Sequence, residues 1–184
     1  FFSTAFQGMD QPQIDTDLYS RQIFCLGLDT LTALAKLNVL LCGVGGLGVE
    51  VAKNLVLTGP RSVTIVDSEP STWSDLSAQF FLSEDDVISK RSRGLACVHK
   101  LAELNPYVRV VNHDGPLSDA FLAQFEVVIV CNGPEQLALR LNAFCHQHGK
   151  GFIRGESRGP FGYIFVDFGP SFLVRDTDGR AKEE

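Results

Sequence analysis

A single methionine and a single tryptophan stand in a chain of 184 residues, and basic residues are outnumbered, with 16 Lys and Arg against 22 Asp and Glu. The formal charge of -6 provides no general attraction to phosphate backbones or anionic lipid, so nucleic acid is not an expected partner. No apolar run approaches the about 18 residues that a membrane-spanning helix needs, and the N-terminus lacks a basic segment followed by an apolar one. A membrane-bound or secreted protein is therefore not expected. Cysteine is lacking in the patterns that give it chemistry. The five cysteines, at 25, 42, 97, 131 and 145, are odd in number and widely spaced, without a Cys-x-x-Cys pair, and read as reduced core thiols of an intracellular protein. His146 and His148 have no acidic partner nearby in sequence and no Cys-x-x-Cys pair to complete a site, so no metal site is expected.

With 45% hydrophobic and 21% charged residues, the chain has enough apolar material for one buried core and hence one domain. Residues 1–8, ahead of Met9, read as the remnant of a cleaved tag; residues 9–175 form the expected domain, and the polar residues 176–184 read as a linker or truncation point. Between Leu18 and Leu37, apolar residues at spacings of three and four, interrupted by Gly27, predict two short helices. Asn38 to Cys42 is a continuous apolar run ending in glycines. Leu47 to Thr58 has one apolar helical face stopped by Gly59-Pro60, and Ser62 to Val66 reads as a second buried strand. Positions 38–67 are thus one βαβ unit. The alternation continues with a helix near Arg93 to Leu104, a strand at Tyr107 to Val111, a short helix around Ser118 to Gln124, a strand at Val127 to Cys131 and a helix from Pro134 to about His148. Gly162 to Phe168 and Phe172 to Val174 read as strands with no helix between them, an antiparallel hairpin at the C-terminal sheet edge. The expected fold is a three-layer, Rossmann-like α/β domain with a mostly parallel sheet.

Gly43-Val44-Gly45-Gly46-Leu47-Gly48 satisfies G-x-G-x-x-G between strand and helix, the context that gives the motif physical meaning. Gly43 permits the tight turn, Gly45 lets a phosphate approach the backbone, and Gly48 lets helix and strand pack closely. The free N–H groups of the helix start can hold an anion. Asp67, at the end of the second strand, stands where a carboxylate accepts hydrogen bonds from ribose hydroxyls. The same residues also suit a plain tight turn. The loop does not choose its ligand, since NAD-dependent dehydrogenases and ATP-using adenylating enzymes share this geometry. An oxidoreductase would need a second domain for its substrate.

Gly43 to Glu50, followed by Val51-Ala52-Lys53-Asn54-Leu55, resembles the glycine loop and first helix of the ubiquitin-activating family, which includes bacterial adenylyltransferases of molybdopterin and thiamine synthesis. Leu18-Tyr19-Ser20-Arg21-Gln22, Trp73 to Phe81, Leu101-Ala102-Glu103-Leu104-Asn105-Pro106, Arg158-Gly159-Pro160-Phe161-Gly162 and Asp167-Phe168-Gly169 carry the resemblance further. It runs from about Asp17 to Gly179 and points to the N-terminal, ThiF-like half of the single-chain ubiquitin-activating enzymes. The small subunits of the SUMO or NEDD8 activating enzymes and an autonomous homodimeric adenylyltransferase remain as alternatives.

The resemblance implies a catalytically inactive adenylation module that pairs with an active one in the same enzyme. Active members carry Asn-x-x-Arg-Gln-Phe after the ribose Asp, whereas Asp75 to Phe80 here replaces Asn by Asp and Arg by Ala78. Active members also hold magnesium on an Asp, whose position falls here on Asn132 or Gly133, neither of which supplies a hard anionic oxygen. The family's phosphate-contacting lysine falls near Arg93. Gly43, Gly45, Gly48, Asp67 and Arg93 are then a vestigial nucleotide site. Arg21 matches an arginine that reaches across to the ATP phosphates of the partner module, an arginine finger in trans. ATP and magnesium are thus expected in the parent enzyme, bound mainly by the partner module. Ubiquitin is the expected substrate, a homodimer is conceivable for the isolated chain, and the location implied is cytoplasmic and nuclear. Trp73, Leu76, Phe80 and Phe81 are expected to be core with an interface edge.

Overall fold

The computed structural model describes residues 14–172. Helices α1 (Ser20–Leu26) and α2 (Leu28–Leu34) are separated by Gly27, whose φ of 80° turns the chain while its N–H donates to the Ile23 carbonyl. Strand β1 (Asn38–Cys42) leads through the glycine loop into α3 (Gly46–Thr58), which ends at Gly59 in the left-handed conformation that favours glycine. Strand β2 (Ser62–Val66) completes the first βαβ unit. The chain continues through α4 (Glu84–Ile88), α5 (Arg93–Ala102), β3 (Arg109–Asn112), α6 (Asp119–Leu122), β4 (Val127–Cys131), α7 (Glu135–Gln147), β5 (Gly151–Arg158) and β6 (Phe161–Asp167).

The strands form one sheet in the order β3-β2-β1-β4-β5-β6. The first five run parallel, and β6 returns antiparallel to β5. Because side chains alternate along a strand, each face of the sheet gathers its own core. Val39, Leu41, Val63 and Ile65 pack beneath Ala52 and Val56 of α3 and Cys97 and Leu101 of α5. Leu40, Cys42, Val128 and Val130 pack on the other face against Leu122 at α6, Phe152 of β5 and Ala138, Leu141 and Phe144 of α7. Helices thus cover both faces of the sheet, and the three-layer reading holds.

The C-terminal edge differs in detail from the expected hairpin. The strand that pairs with β6 is β5, joined to it through Gly159-Pro160, and Phe172 is not in a strand; Leu173 and Val174 lie outside the described residues, as do 1–8 and 176–184. Strand β5 escapes sequence reading because Arg154, Glu156 and Arg158 interrupt its apolar pattern. Glu156 accepts hydrogen bonds from both arginines, so charges that argue against a strand are paired along it. Helix α4 is not among the elements the sequence predicts. It is too short for periodicity, but Ser83 and Asp86 form a capping box at its start.

Two stretches that carried the family resemblance meet at the base of the domain. Buried Asn105 donates from Nδ2 to the Tyr19 hydroxyl at 2.7 Å and to the Val56 carbonyl at 2.9 Å. The start of α1 is thereby seated on the ends of α3 and α5. Four of the cysteines are buried, as expected, and burial pushes the Cys42 and Cys97 thiols up to about 12 and those of Cys131 and Cys145 up to about 11. Cys25, on α1, is the exception and is exposed.

Candidate nucleotide loop

The order of the sheet reverses between β1 and β4, and in open α/β sheets the crevice at the carboxyl ends of such strands is where ligands bind. The glycine loop lies there. Its glycines are required for different reasons. Gly43 has a φ of 89°, and a Cβ on it would stand 2.4 Å from the Cys131 carbonyl oxygen, so the loop can cross the end of β4 only without a side chain. A Cβ on Gly48 would be 1.9 Å from the Gly43 oxygen, which closes the helix against the loop. Gly45 has open space, with nothing within 4 Å of a Cβ.

Asp67 is 5% exposed and carries a full set of hydrogen bonds. Its Oδ2 accepts from the Val44 N–H at 2.8 Å and from Arg93 Nε at 3.0 Å. Its Oδ1 accepts from the Glu69 N–H at 3.1 Å and from Arg93 Nη2 at 3.2 Å. Arg93 reaches this position because the chain leaving β2 is stitched to the chain entering α5: the Ser71 N–H donates to Arg91, the Arg93 N–H to Glu69 and the Gly94 N–H to Asp67. The third nitrogen of the guanidinium, Nη1, donates to Asp75 Oδ1 at 3.3 Å. Burial would lower the pKa of Arg93, but the bonds and charges of Asp67 and Asp75 outweigh it and raise the pKa above its ordinary value.

The segment after β2 folds back over the loop. Gln79, wholly buried, donates from Nε2 to the Val44 carbonyl at 2.9 Å and accepts from the Phe81 N–H. Ala78 stands so near that a Cβ on Gly46 would lie 2.6 Å from its own. Val44 is therefore held through its N–H by Asp67 and through its carbonyl by Gln79. Sequence reading had no role for Gln79, since only the fold brings it beneath the loop. The aromatic cluster is split: Phe81 packs on the core, while Trp73 is 61% exposed and Phe80 is also exposed.

At the end of β4, Asn132 adopts a positive φ of 51°, its Oδ1 accepts from the Ser157 N–H at 2.8 Å, and its Nδ2 donates to Ser157 Oγ. The amide ties β4 to β5. Among the described residues, no group of three or more His, Cys, Asp or Glu side chains is placed to hold a metal. His146 instead pairs with Asp167 at 3.0 Å, joining α7 to β6. The structure thus gathers Gly43, Gly45, Gly48, Asp67 and Arg93 in one place, and Arg21 lies apart, exposed on α1 with no bonded partner among the described residues. As arranged, these residues do not fit a magnesium-bound nucleotide. The end of β4 carries Asn132 and Gly133, neither of which offers a metal a carboxylate of its own, and the four N–H donors on Asp67 leave it no acceptor for a ribose hydroxyl.

Parallel strands of this order with a glycine turn at the reversal and an acid at the end of β2 define a Rossmann-like α/β domain. The chain belongs to the ThiF family, whose profile matches residues 19–172. Ubiquitin-like modifier-activating enzyme 1 of Dictyostelium discoideum is 45% identical over 169 residues, which are 92% of this chain and 16% of that protein. Ubiquitin-activating enzyme E1 1 of Schizosaccharomyces pombe is 45% identical over 170 residues, again 92% of this chain and 16% of that protein. Human ubiquitin-like modifier-activating enzyme 7 is 44% identical over 163 residues, covering 89% of this chain and 16% of that protein. The chain thus spans about one-sixth of the length of these relatives and is homologous to their adenylation region.

Proposed function

We propose that this chain is a catalytically silent adenylation module of a ubiquitin-activating enzyme. It pairs with an active module and supports ATP-dependent adenylation of the ubiquitin C-terminus there. The observation that carries this reading is the loss of both reacting-site charges, at Ala78 and at Asn132-Gly133, in a chain 45% identical to an E1 over 92% of its length. An adenylation site needs cationic groups on the triphosphate and a carboxylate for magnesium, and neither position supplies one. Magnesium and ATP would be bound by the partner module, where the metal neutralises phosphate charge.

Helix α1 supports pairing. Phe24 is 91% exposed, and Leu18, Leu26 and Leu28 are exposed near it, an apolar concentration that a solvated helix does not need. Arg21 stands on the same helix. Buried in the junction, that apolar surface would bring the guanidinium to the partner's phosphates, where it stabilises developing negative charge. The working place of such an enzyme would be the cytoplasm and nucleus.

Two measurements test this. The isolated chain should show no ATP–pyrophosphate exchange. In the full-length enzyme, Arg21→Ala should lower ubiquitin-dependent exchange at limiting ATP by about tenfold or more with the modules still associated. An unchanged rate would remove the trans role of Arg21, and exchange by the isolated chain would overturn the silent-module reading.

A further inference from the structure

We propose that Arg93 is an internal ligand that closes the glycine loop, its guanidinium holding Asp67 in the place a ribose diol would take. The inference deepens the reading of this chain as a silent module and rests on it. Its basis is the acceptor capacity of one carboxylate. An ionised Asp has about four lone-pair sites. Asp67 accepts from four N–H donors: Val44 and Arg93 Nε on one oxygen, Glu69 and Arg93 Nη2 on the other. No site is left for a hydroxyl. A ribose would have to displace the guanidinium, exchanging a two-point ion pair for bonds from two uncharged O–H donors.

Two features keep Arg93 in place. Asp75 binds its remaining nitrogen Nη1, so the guanidinium is gripped by two carboxylates at once. The side chain is only 22% exposed, and little solvent is available to screen those contacts. Asp75 supplies the second negative charge that fixes Arg93. The loop itself is already held from the other side by Gln79 on the Val44 carbonyl. The latch thus consists of one cation, two anions and a pinned peptide, all within the module. Gly45 remains open, so ribose capture is the function lost at this latch.

The neutral nucleoside adenosine is the suitable probe, because removing a cation would by itself weaken phosphate binding. Binding to the 184-residue chain is followed by two-dimensional NMR at the Val44 amide and the Arg93 Nε–H, with circular dichroism as the check on folding. In the unaltered chain, millimolar adenosine should leave both signals in place. In Arg93→Gln, adenosine should bind at least tenfold more tightly and move the Val44 amide. The gain should be absent for 2′,3′-dideoxyadenosine and abolished by adding Asp67→Asn. A purely structural ion pair would change stability without this diol dependence. If adenosine displaces the Arg93 signal in the unaltered chain, or if folded Arg93→Gln binds no better, the latch is overturned. Should Arg93→Gln fail to fold, Asp75→Asn, which loosens only the second grip on the guanidinium, takes its place and should show the same diol-dependent gain, whose absence would overturn the latch. Pyrophosphate exchange by the unaltered chain would instead strike at the silent-module reading, so the two failures are separable.

Discussion

At the scale of single residues, the three glycines of the motif carry different burdens, and substitution should separate them. In Gly48→Ala the new Cβ meets the Gly43 oxygen at 1.9 Å, a backbone atom that cannot swing aside, so urea denaturation should show a loss of about 3 kcal/mol. In Gly45→Ala nothing lies within 4 Å, the φ is negative, and the loss should stay below about 1 kcal/mol. A similar cost at both positions would mean that the loop packs differently. Arg21 is the contrasting case, a residue whose removal should leave unfolding unchanged because its guanidinium has no bonded partner among the described residues. Any effect of Arg21→Ala should appear only in the assembled enzyme.

At the scale of elements, α4 is held by its first turn. Ser83 Oγ and the Ser83 N–H both donate to Asp86 Oδ2, and Ser83 Oγ accepts in return from the Asp86 N–H. Ser83→Ala removes the cap and should cost about 1 kcal/mol. The hydrogen bond from Ser83 lowers the Asp86 pKa below its ordinary 3.8, while partial burial opposes the shift. A carboxyl whose pKa is lower folded than unfolded contributes stability that is complete above the unfolded value and is lost as pH falls through the folded one. The stability difference between the unaltered chain and Asp86→Asn should therefore be largest near neutrality and shrink below pH 3.8, measured by thermal unfolding across pH. The joint of α1 with the body is a second element-scale contact. Tyr19→Phe deletes the hydroxyl that Asn105 donates to, leaving it only the Val56 carbonyl, and should cost about 1 kcal/mol.

At the scale of the whole molecule, two cores share one sheet, and the distal one is anchored by Phe152, 1% exposed between β4 and α7. Phe152→Ala should cost about 3–4 kcal/mol in denaturant unfolding, with the midpoint shifted and the slope kept. The surface is less evenly finished. Phe24 on α1 and Phe161 and Ile164 on β6 are largely exposed, and apolar surface of this kind is normally covered. The isolated chain should accordingly self-associate as concentration rises in sedimentation velocity. Phe24→Glu should weaken that association, whereas a monomer at all concentrations would show that α1 needs no cover.

The local order of the chain was written in the sequence. Asn38 to Val66 reads as strand, turn and helix because its apolar spacing, its glycines and the Gly59-Pro60 stop are all local signals, and the structure has those elements at nearly those residues. The place of Asp67 beside the loop was legible for the same reason, as a fixed distance along one βαβ unit. Tertiary structure decided what Asp67 does. Its partner Arg93, itself held by Asp75, comes from a segment that reaches it only after the chain returns to the sheet, and hydrogen-bond saturation depends on distances of about 3 Å that residue order does not encode. Strand β5 shows the same division. Its charges conceal it from periodicity, and it becomes a strand because β4 offers a parallel edge while Glu156 pairs with both Arg154 and Arg158 along it.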